Sequence, residues 1–364
     1  ELLEHVKFLR QCLRYIPTES REESAAAWEY LNLTVPASMD NVFGWAHDDD
    51  SDELVWSVRT GFLTPSTVEL IDMEALINGS SGQYTNVSKS APSFFNEDLF
   101  EVQQHFCTSV DGTRVPYFQI SKKDLVLDGS NPTLQYGYGG FEISMTPYYS
   151  GTFGMLWLEK GGVFVMTNIR GGNEYGPEWH KDVLLERRYK AYEDFESIAE
   201  DLMARKVTSP SKLGIMGGSN GGLLVGNCMT RRPELFGAIV CQVPLLDMER
   251  YTYLLAGASW AAEFGDPDVP GVFDGYLRNH SPYHRLLDYP QKAFPPAFFY
   301  TSTRDDRVHP GHARKMVERL QQLGHSATTY YYENVEGGHG SGADNLQRAF
   351  TTALTYRFLN NVLM

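Results

Sequence analysis

The stretch Lys212-Leu213-Gly214-Ile215-Met216-Gly217-Gly218-Ser219-Asn220-Gly221-Gly222-Leu223 decides the fold of this chain. Its apolar opening reads as a strand ending at Met216, and the run Leu223 to Arg232, stopped by Pro233, reads as a helix. Between them stands G-x-S-x-G, the pattern of a serine held at a sharp turn between strand and helix. The reason is steric. A strained backbone at the serine brings strand end and helix start so close that the residues two before and two after it must lack a Cβ. Ser219 then projects its hydroxyl at the carboxyl edge of a sheet, and the backbone N–H of Asn220, at the start of the helix, faces a developing oxyanion. A tight glycine turn without chemistry is the plain alternative. A phosphate-cradling loop is the other, but G-x-x-x-x-G-K-[ST] is absent.

Outward from this turn, apolar strands alternate with amphipathic helices. Gly162 to Asn168, Lys212 to Met216, Gly237 to Cys241, Ala297 to Thr301 and Thr328 to Glu333 read as strands. Tyr192 to Lys206, Gly311 to Leu323 and Asn345 to Leu359 read as helices. Alternation of this kind calls for a largely parallel sheet with helices on both faces, here a doubly wound α/β-hydrolase fold. Ahead of it the text changes. Glu53 to Arg59 and Thr67 to Asp72 show the period-2 alternation of short strands separated by polar turns, and Ser80 to Ser93, rich in Ser, Gly, Asn and Pro, reads as a linker. The expected division is therefore a β-rich segment with its linker over 1–93 and an α/β-hydrolase domain over 94–364.

A chain of 364 residues, 42% of them hydrophobic, is long enough for one large core and a smaller unit. With 46 acidic against 31 basic residues, the formal charge of -15 opposes non-specific binding to nucleic acid or anionic membrane. No apolar run approaches the ~20 residues of a membrane helix. The four cysteines (Cys12, Cys107, Cys228, Cys241) form no C-x-x-C pair. Buried free thiols in a reducing, cytoplasmic compartment are the expectation. The chain opens Glu1-Leu2-Leu3-Glu4, without an initiator Met, so the true amino terminus is expected to be missing. Neither metal nor organic cofactor is implied.

A serine hydroxyl needs a base within hydrogen-bond reach, itself oriented by an acid. Ser302-Thr303-Arg304-Asp305-Asp306-Arg307-Val308 places two carboxylates in the loop after a buried strand. Asp305 is chosen because an orienting carboxylate comes early in the turn, with Val308 anchoring it; the alternative is a pair capping the helix near Pro310. Of ten histidines, His339, in Glu336-Gly337-Gly338-His339-Gly340-Ser341-Gly342, has the right chain order and a loop in which backbone and ligand approach closely. His309 and His312 are read as capping or surface residues.

Tyr136-Gly137-Tyr138-Gly139-Gly140-Phe141, Asn168-Ile169-Arg170-Gly171-Gly172-Asn173-Glu174-Tyr175-Gly176, Gly217 to Gly222, Arg304 to Val308 and Gly337 to Gly340 resemble, in wording and order, the signatures of the prolyl oligopeptidase family. The resemblance runs from about Asn96 to the end. It implies that the β-rich segment is the tail of a seven-bladed propeller that admits only short peptides, and that the chain is a fragment of a monomeric protein acting on short proline-containing peptides. It implies Tyr138 as the second oxyanion donor beside Asn220. It also implies a proline pocket of Trp260, Phe141, Phe264 and Val308, with Arg307 gripping a carbonyl upstream of the scissile bond. Relatives usually carry Tyr where Phe264 stands; a phenyl ring can still wall the pocket. The rival readings are a peptidase cleaving after Lys or Arg, an acylaminoacyl- or dipeptidyl-peptidase or esterase, and a non-catalytic binding protein of the same fold. A pocket for Lys or Arg needs a carboxylate, and the segment around Trp260 offers only Glu263.

Overall fold

The computed structural model describes residues 11–16, 27–32, 39–48, 54–77, 85–340 and 342–364. The chain divides into two compact units, 1–98 with 146–151, and 99–145 with 152–364. The first is antiparallel. Strands β1 (Gln11–Ile16) and β2 (Ala27–Asn32) pair with each other. Strands β3 (Asn41–Ala46), β4 (Leu54–Thr60), β5 (Thr67–Asp72) and β6 (Thr85–Ser90) form a four-stranded sheet in chain order. Alternation does what it should: Thr67, Glu69 and Ile71 of β5 are buried while their neighbours are half-buried. The buried Glu69 carboxylate is met by Arg59, 3.0 Å away, which also reaches Asp40 at 3.3 Å. The stretch read as a linker from Ser80 to Ser93 is corrected here, because it contains β6, paired to β5. Residues 80–84 lie outside those described.

The second unit holds an eight-stranded sheet of β7 (Phe100–Thr108), β8 (Arg114–Lys122), β9 (Thr133–Tyr136), β10 (Val163–Thr167), β11 (Leu213–Gly218), β12 (Ala238–Gln242), β13 (Ala297–Ser302) and β14 (Thr329–Asn334). The spatial order is β14-β13-β12-β11-β9-β10-β8-β7. Strands β9 to β14 run parallel, and the β7–β8 hairpin joins antiparallel through β8 against β10. This is the expected α/β-hydrolase sheet. The chain winds to one side of β9 with β10 and to the other with β11, so the loops leaving β9 and β11 are neighbours at a topological switch point.

The helices Tyr189–Ala204, Asn220–Arg231 and Gly311–Leu320 cover one face. Phe195, Ile198, Leu224, Cys228, Met316 and Leu320 pack there against Val165, Ile215, Ile239 and Phe299 of the strands. The helix Asn345–Leu363 covers the other face, where a side chain on Gly214 would strike Leu363 at 2.7 Å. Its start is fixed by Asp344, whose carboxylate accepts from Gln347 N at 2.8 Å. The helix expected to reach Leu323 ends at Leu320 and runs into a wider turn over Gln321–His325, with Gly324 at φ 91°. Cys107, Cys228 and Cys241 are buried free thiols, and desolvation pushes the Cys107 thiol up to about 12. Among the described residues no helix is long and apolar enough to cross a membrane.

Candidate active site

Four of the parallel strands deliver the expected residues at their carboxyl ends. After β11 comes Ser219, at φ 58° and ψ -117°, a conformation a residue with a side chain rarely adopts. The glycines around it are required by contact. A Cβ on Gly217 would lie 2.3 Å from Gly221 O, and one on Gly221 would lie 2.6 Å from Gly137 O. Ser219 N donates to Gln242 O of β12 at 2.9 Å, which holds the turn to the neighbouring strand end. Leu223 N donates to Ser219 O at 3.1 Å, the first bond of the following helix, so the N–H of Asn220 precedes the helical ladder.

After β13 comes Asp305, its carboxylate wholly buried. Oδ1 accepts from the backbone N–H groups of Arg307 and Val308 at 2.9 and 2.8 Å, and Oδ2 accepts from His339 Nδ1 at 2.7 Å. Val308, 2% exposed, is the apolar anchor of that turn. Asp306 is exposed, and the helix from Gly311 has no side-chain cap. His339 follows β14 in its glycine loop, with its side chain largely buried. Its contact with Asp305 leaves Nε2 for a proton transfer. A hydrogen bond between Ser219 Oγ and His339 Nε2 is not among those formed by the described residues. Catalytic contacts of this kind commonly tighten only with substrate bound.

Tyr138 lies in the loop after β9. Burial pushes its phenol above the ordinary range, with Arg307 and then Arg188 pulling it back. The phenol is therefore a protonated donor. Asn220 Nδ2 donates to Tyr138 O at 2.6 Å, which ties the loop after β9 to the start of the helix. Arg307 itself is exposed.

Phe141, Trp260 and Val308 meet in a second apolar cluster with Leu223, Tyr251 and Phe264. Phe264 sits inside it at 2% exposure, edge-on to Phe141 and Tyr251, so it backs the cluster and offers little surface to a ligand. Phe141 and Trp260 are half-buried and present the open surface. The Glu263 carboxylate is fully engaged. Oε1 accepts from Phe141 N at 3.0 Å and Arg188 NH1 at 2.8 Å, and Oε2 from His180 Nε2 at 2.6 Å.

Nothing in the sequence singles out Arg188, and His180 lies outside the loop expected of the base. Arg188 stands in Glu186-Arg187-Arg188, a run that looks like an ordinary solvated surface. His312, read as capping or surface, is buried. Its Nδ1 accepts from Leu246 N and Asp247 N at 3.3 and 3.1 Å, and burial holds its pKa down at about 4. His309 does cap its turn, accepting from Gly311 N at 2.9 Å.

Comparison with known proteins agrees with this architecture. Residues 149–364 match the family described as the prolyl oligopeptidase family. The chain is 47% identical over 337 residues to the uncharacterized peptidase y4nA of Sinorhizobium fredii, covering 93% of this chain and 44% of that protein. It is 35% identical over 306 residues to the prolyl endopeptidase of Elizabethkingia miricola, covering 84% and 42%. A solved post-proline cleaving enzyme from Rickettsia typhi superimposes with a TM-score of 0.82 at 34% identity, over 97% of this chain and 48% of the other. The chain thus spans less than half the length of the relatives it matches. With a match over more than half its own length, the chain belongs to the prolyl oligopeptidase family.

Proposed function

We propose that this chain is the catalytic part of a serine endopeptidase that hydrolyses short peptides on the carboxyl side of proline through an acyl-enzyme. His339, oriented by Asp305, takes the proton of Ser219 as Oγ attacks the proline carbonyl. The tetrahedral oxyanion is received by the Asn220 N–H and the Tyr138 hydroxyl, each such donor contributing ~3 kcal/mol to the lowering of the barrier. His339 then protonates the leaving amine, and water repeats the cycle on the ester. Arg307, exposed and charged beside Tyr138, holds an upstream carbonyl of the peptide.

The observation that carries the proline reading is the saturation of Glu263. It is the one carboxylate of the pocket segment, and both its oxygens are taken by Arg188, His180 and Phe141 N. A lysine or arginine entering beside Trp260 and Phe141 would lose its water without gaining a counter-ion, at a cost of several kcal/mol. A pyrrolidine ring brings no amide hydrogen and fits flat aromatic and aliphatic surface.

The test uses the protein that contains this whole chain, with chromogenic peptides ending in proline, alanine or arginine. Proline exceeds alanine by roughly 15- to 60-fold in kcat/KM, from two or three methylene-sized contacts at about 0.8 kcal/mol each. Trp260→Ala erodes that preference while hydrolysis of an activated ester persists. An arginine peptide cleaved as fast as its proline counterpart overturns the specificity. Failure of a fluorophosphonate to label Ser219 overturns the peptidase reading altogether.

A further inference from the structure

We infer, resting on the serine-peptidase reading above, that Arg188 is a positioning residue of the oxyanion hole: through Asn220 and Glu263 it clamps the segment carrying Tyr138 to the start of the helix that carries the Asn220 N–H.

Arg188 is 1% exposed. A guanidinium so buried is costly unless its donors are used. One nitrogen donates to Asn220 Oδ1 at 2.5 Å and another to Glu263 Oε1 at 2.8 Å, and the Phe264 ring lies 5.2 Å from its central carbon. With its carboxamide oxygen held by a cation, Asn220 has one orientation only, the one in which Nδ2 donates to Tyr138 O at 2.6 Å. The residue whose backbone N–H receives the oxyanion thus grips, with its own side chain, the backbone of the residue whose hydroxyl is the other donor.

The far end of the same segment is gripped as well. Phe141 and Glu142 are consecutive left-handed residues, both at φ 56°, a conformation that is strained when side chains are present. Such strain persists only where surroundings impose it, and here Phe141 N donates to Glu263 Oε1, the oxygen Arg188 also binds. Between the two grips Gly140 lies directly on the pair: a Cβ there would be 2.6 Å from Asn220 Nδ2 and 2.8 Å from the guanidinium. Arg188 therefore touches both ends of the Tyr138–Phe141 segment through one intermediary each. Its charge also acts on the Tyr138 phenol in the direction that favours a developing anion.

The experiment uses the protein containing the whole chain, in three forms: parent, Arg188→Lys, and the double variant Arg188→Met with Glu263→Gln, which leaves no buried carboxylate without its cation. A peptide aldehyde, which forms a tetrahedral oxyanion with Ser219, is compared with the corresponding alcohol, which cannot. In the folded double variant kcat falls about 10- to 100-fold with KM within about threefold, since misplaced donors are felt only when the oxyanion exists. Aldehyde affinity falls by a similar factor and alcohol affinity stays within about twofold. Arg188→Lys, with a cation but no planar fork, lies between parent and double variant. Should folded variants keep kcat within twofold, or should aldehyde and alcohol affinities fall together, Arg188 is only a structural residue. A parent that binds aldehyde and alcohol alike overturns the peptidase reading, a result distinct from either.

Discussion

Asp305 and Asp306 are adjacent in sequence and unlike in every other respect. Asp305 is buried, with both oxygens occupied by Arg307 N, Val308 N and His339 Nδ1, whereas Asp306 faces solvent. A carboxylate that accepts the Nδ1 proton leaves Nε2 as the base, and an amide in its place favours the wrong tautomer. Asp305→Asn is accordingly expected to lower kcat by about a thousandfold or more while binding changes little. Asp306→Asn leaves steady-state kinetics within about twofold. A larger loss at Asp306 would reverse the assignment. The place of Asp305 in its turn is legible in the sequence because strand, loop and valine anchor are local. Arg188 was unreadable because its importance comes from a partner 32 positions away, Asn220, and another 75 away, Glu263.

The elbow is legible one level up, as an element, and its letters translate into distances. Gly221→Ala would press a methyl to 2.6 Å from Gly137 O, a backbone atom that cannot rotate away, whereas the nearest atoms to a Cβ on Gly218 stand at 3.7 Å. The first substitution is expected to destabilise by about 1–3 kcal/mol and to lower activity, and Gly218→Ala to leave the melting temperature nearly unchanged. Thermal melts of the two variants check this, and equal shifts would refute the steric account. Elements buried on both faces, such as β11, β12 and β13, announce themselves as apolar runs, and their bounds fall within two residues of the reading. Polar residues hide others: β8 and β9 are buried, yet Gln119, Ser121 and Gln135 interrupt their apolar runs and neither is legible as a strand. β7 carries Glu101, Gln103, Gln104 and His105 and shows no apolar run, and the exposed, polar β6 reads as a linker. In both, ladder pairing to a neighbouring strand overrides composition.

At the scale of the whole molecule, burial of neutral histidines couples folding to pH. His312 faces Asp247 and Asp305, which raise its pKa, and His309 and Lys315, which lower it, but desolvation dominates and leaves it at about 4. Its folded pKa lies below the ordinary 6.5, so the unfolded chain binds the extra proton. The stability it contributes is complete above pH 6.5 and is lost as pH falls towards about 4. Carboxyls whose pKa burial raises, such as Glu174 and Glu196, work in the opposite direction, so the informative quantity is a difference. In urea titrations between pH 7 and pH 4, His312→Gln should show a shallower decline in midpoint than the parent. Parallel curves would remove His312 from the account.

The buried cysteines carry a consequence for chemistry in the test tube. Burial raises the thiol pKa at Cys107, Cys228 and Cys241 alike, so these positions hold almost no thiolate while the second unit stays folded. Cys228 lies on the helix that begins at Asn220, and Cys241 on the strand whose end fixes the elbow, its Sγ–H directed at Gly222 O. Alkylating reagents aimed at sulfur therefore pass over these positions in the native protein, and a mass shift at Cys228 or Cys241 becomes a clock for the opening of the second unit's core, read at the turn that carries Ser219.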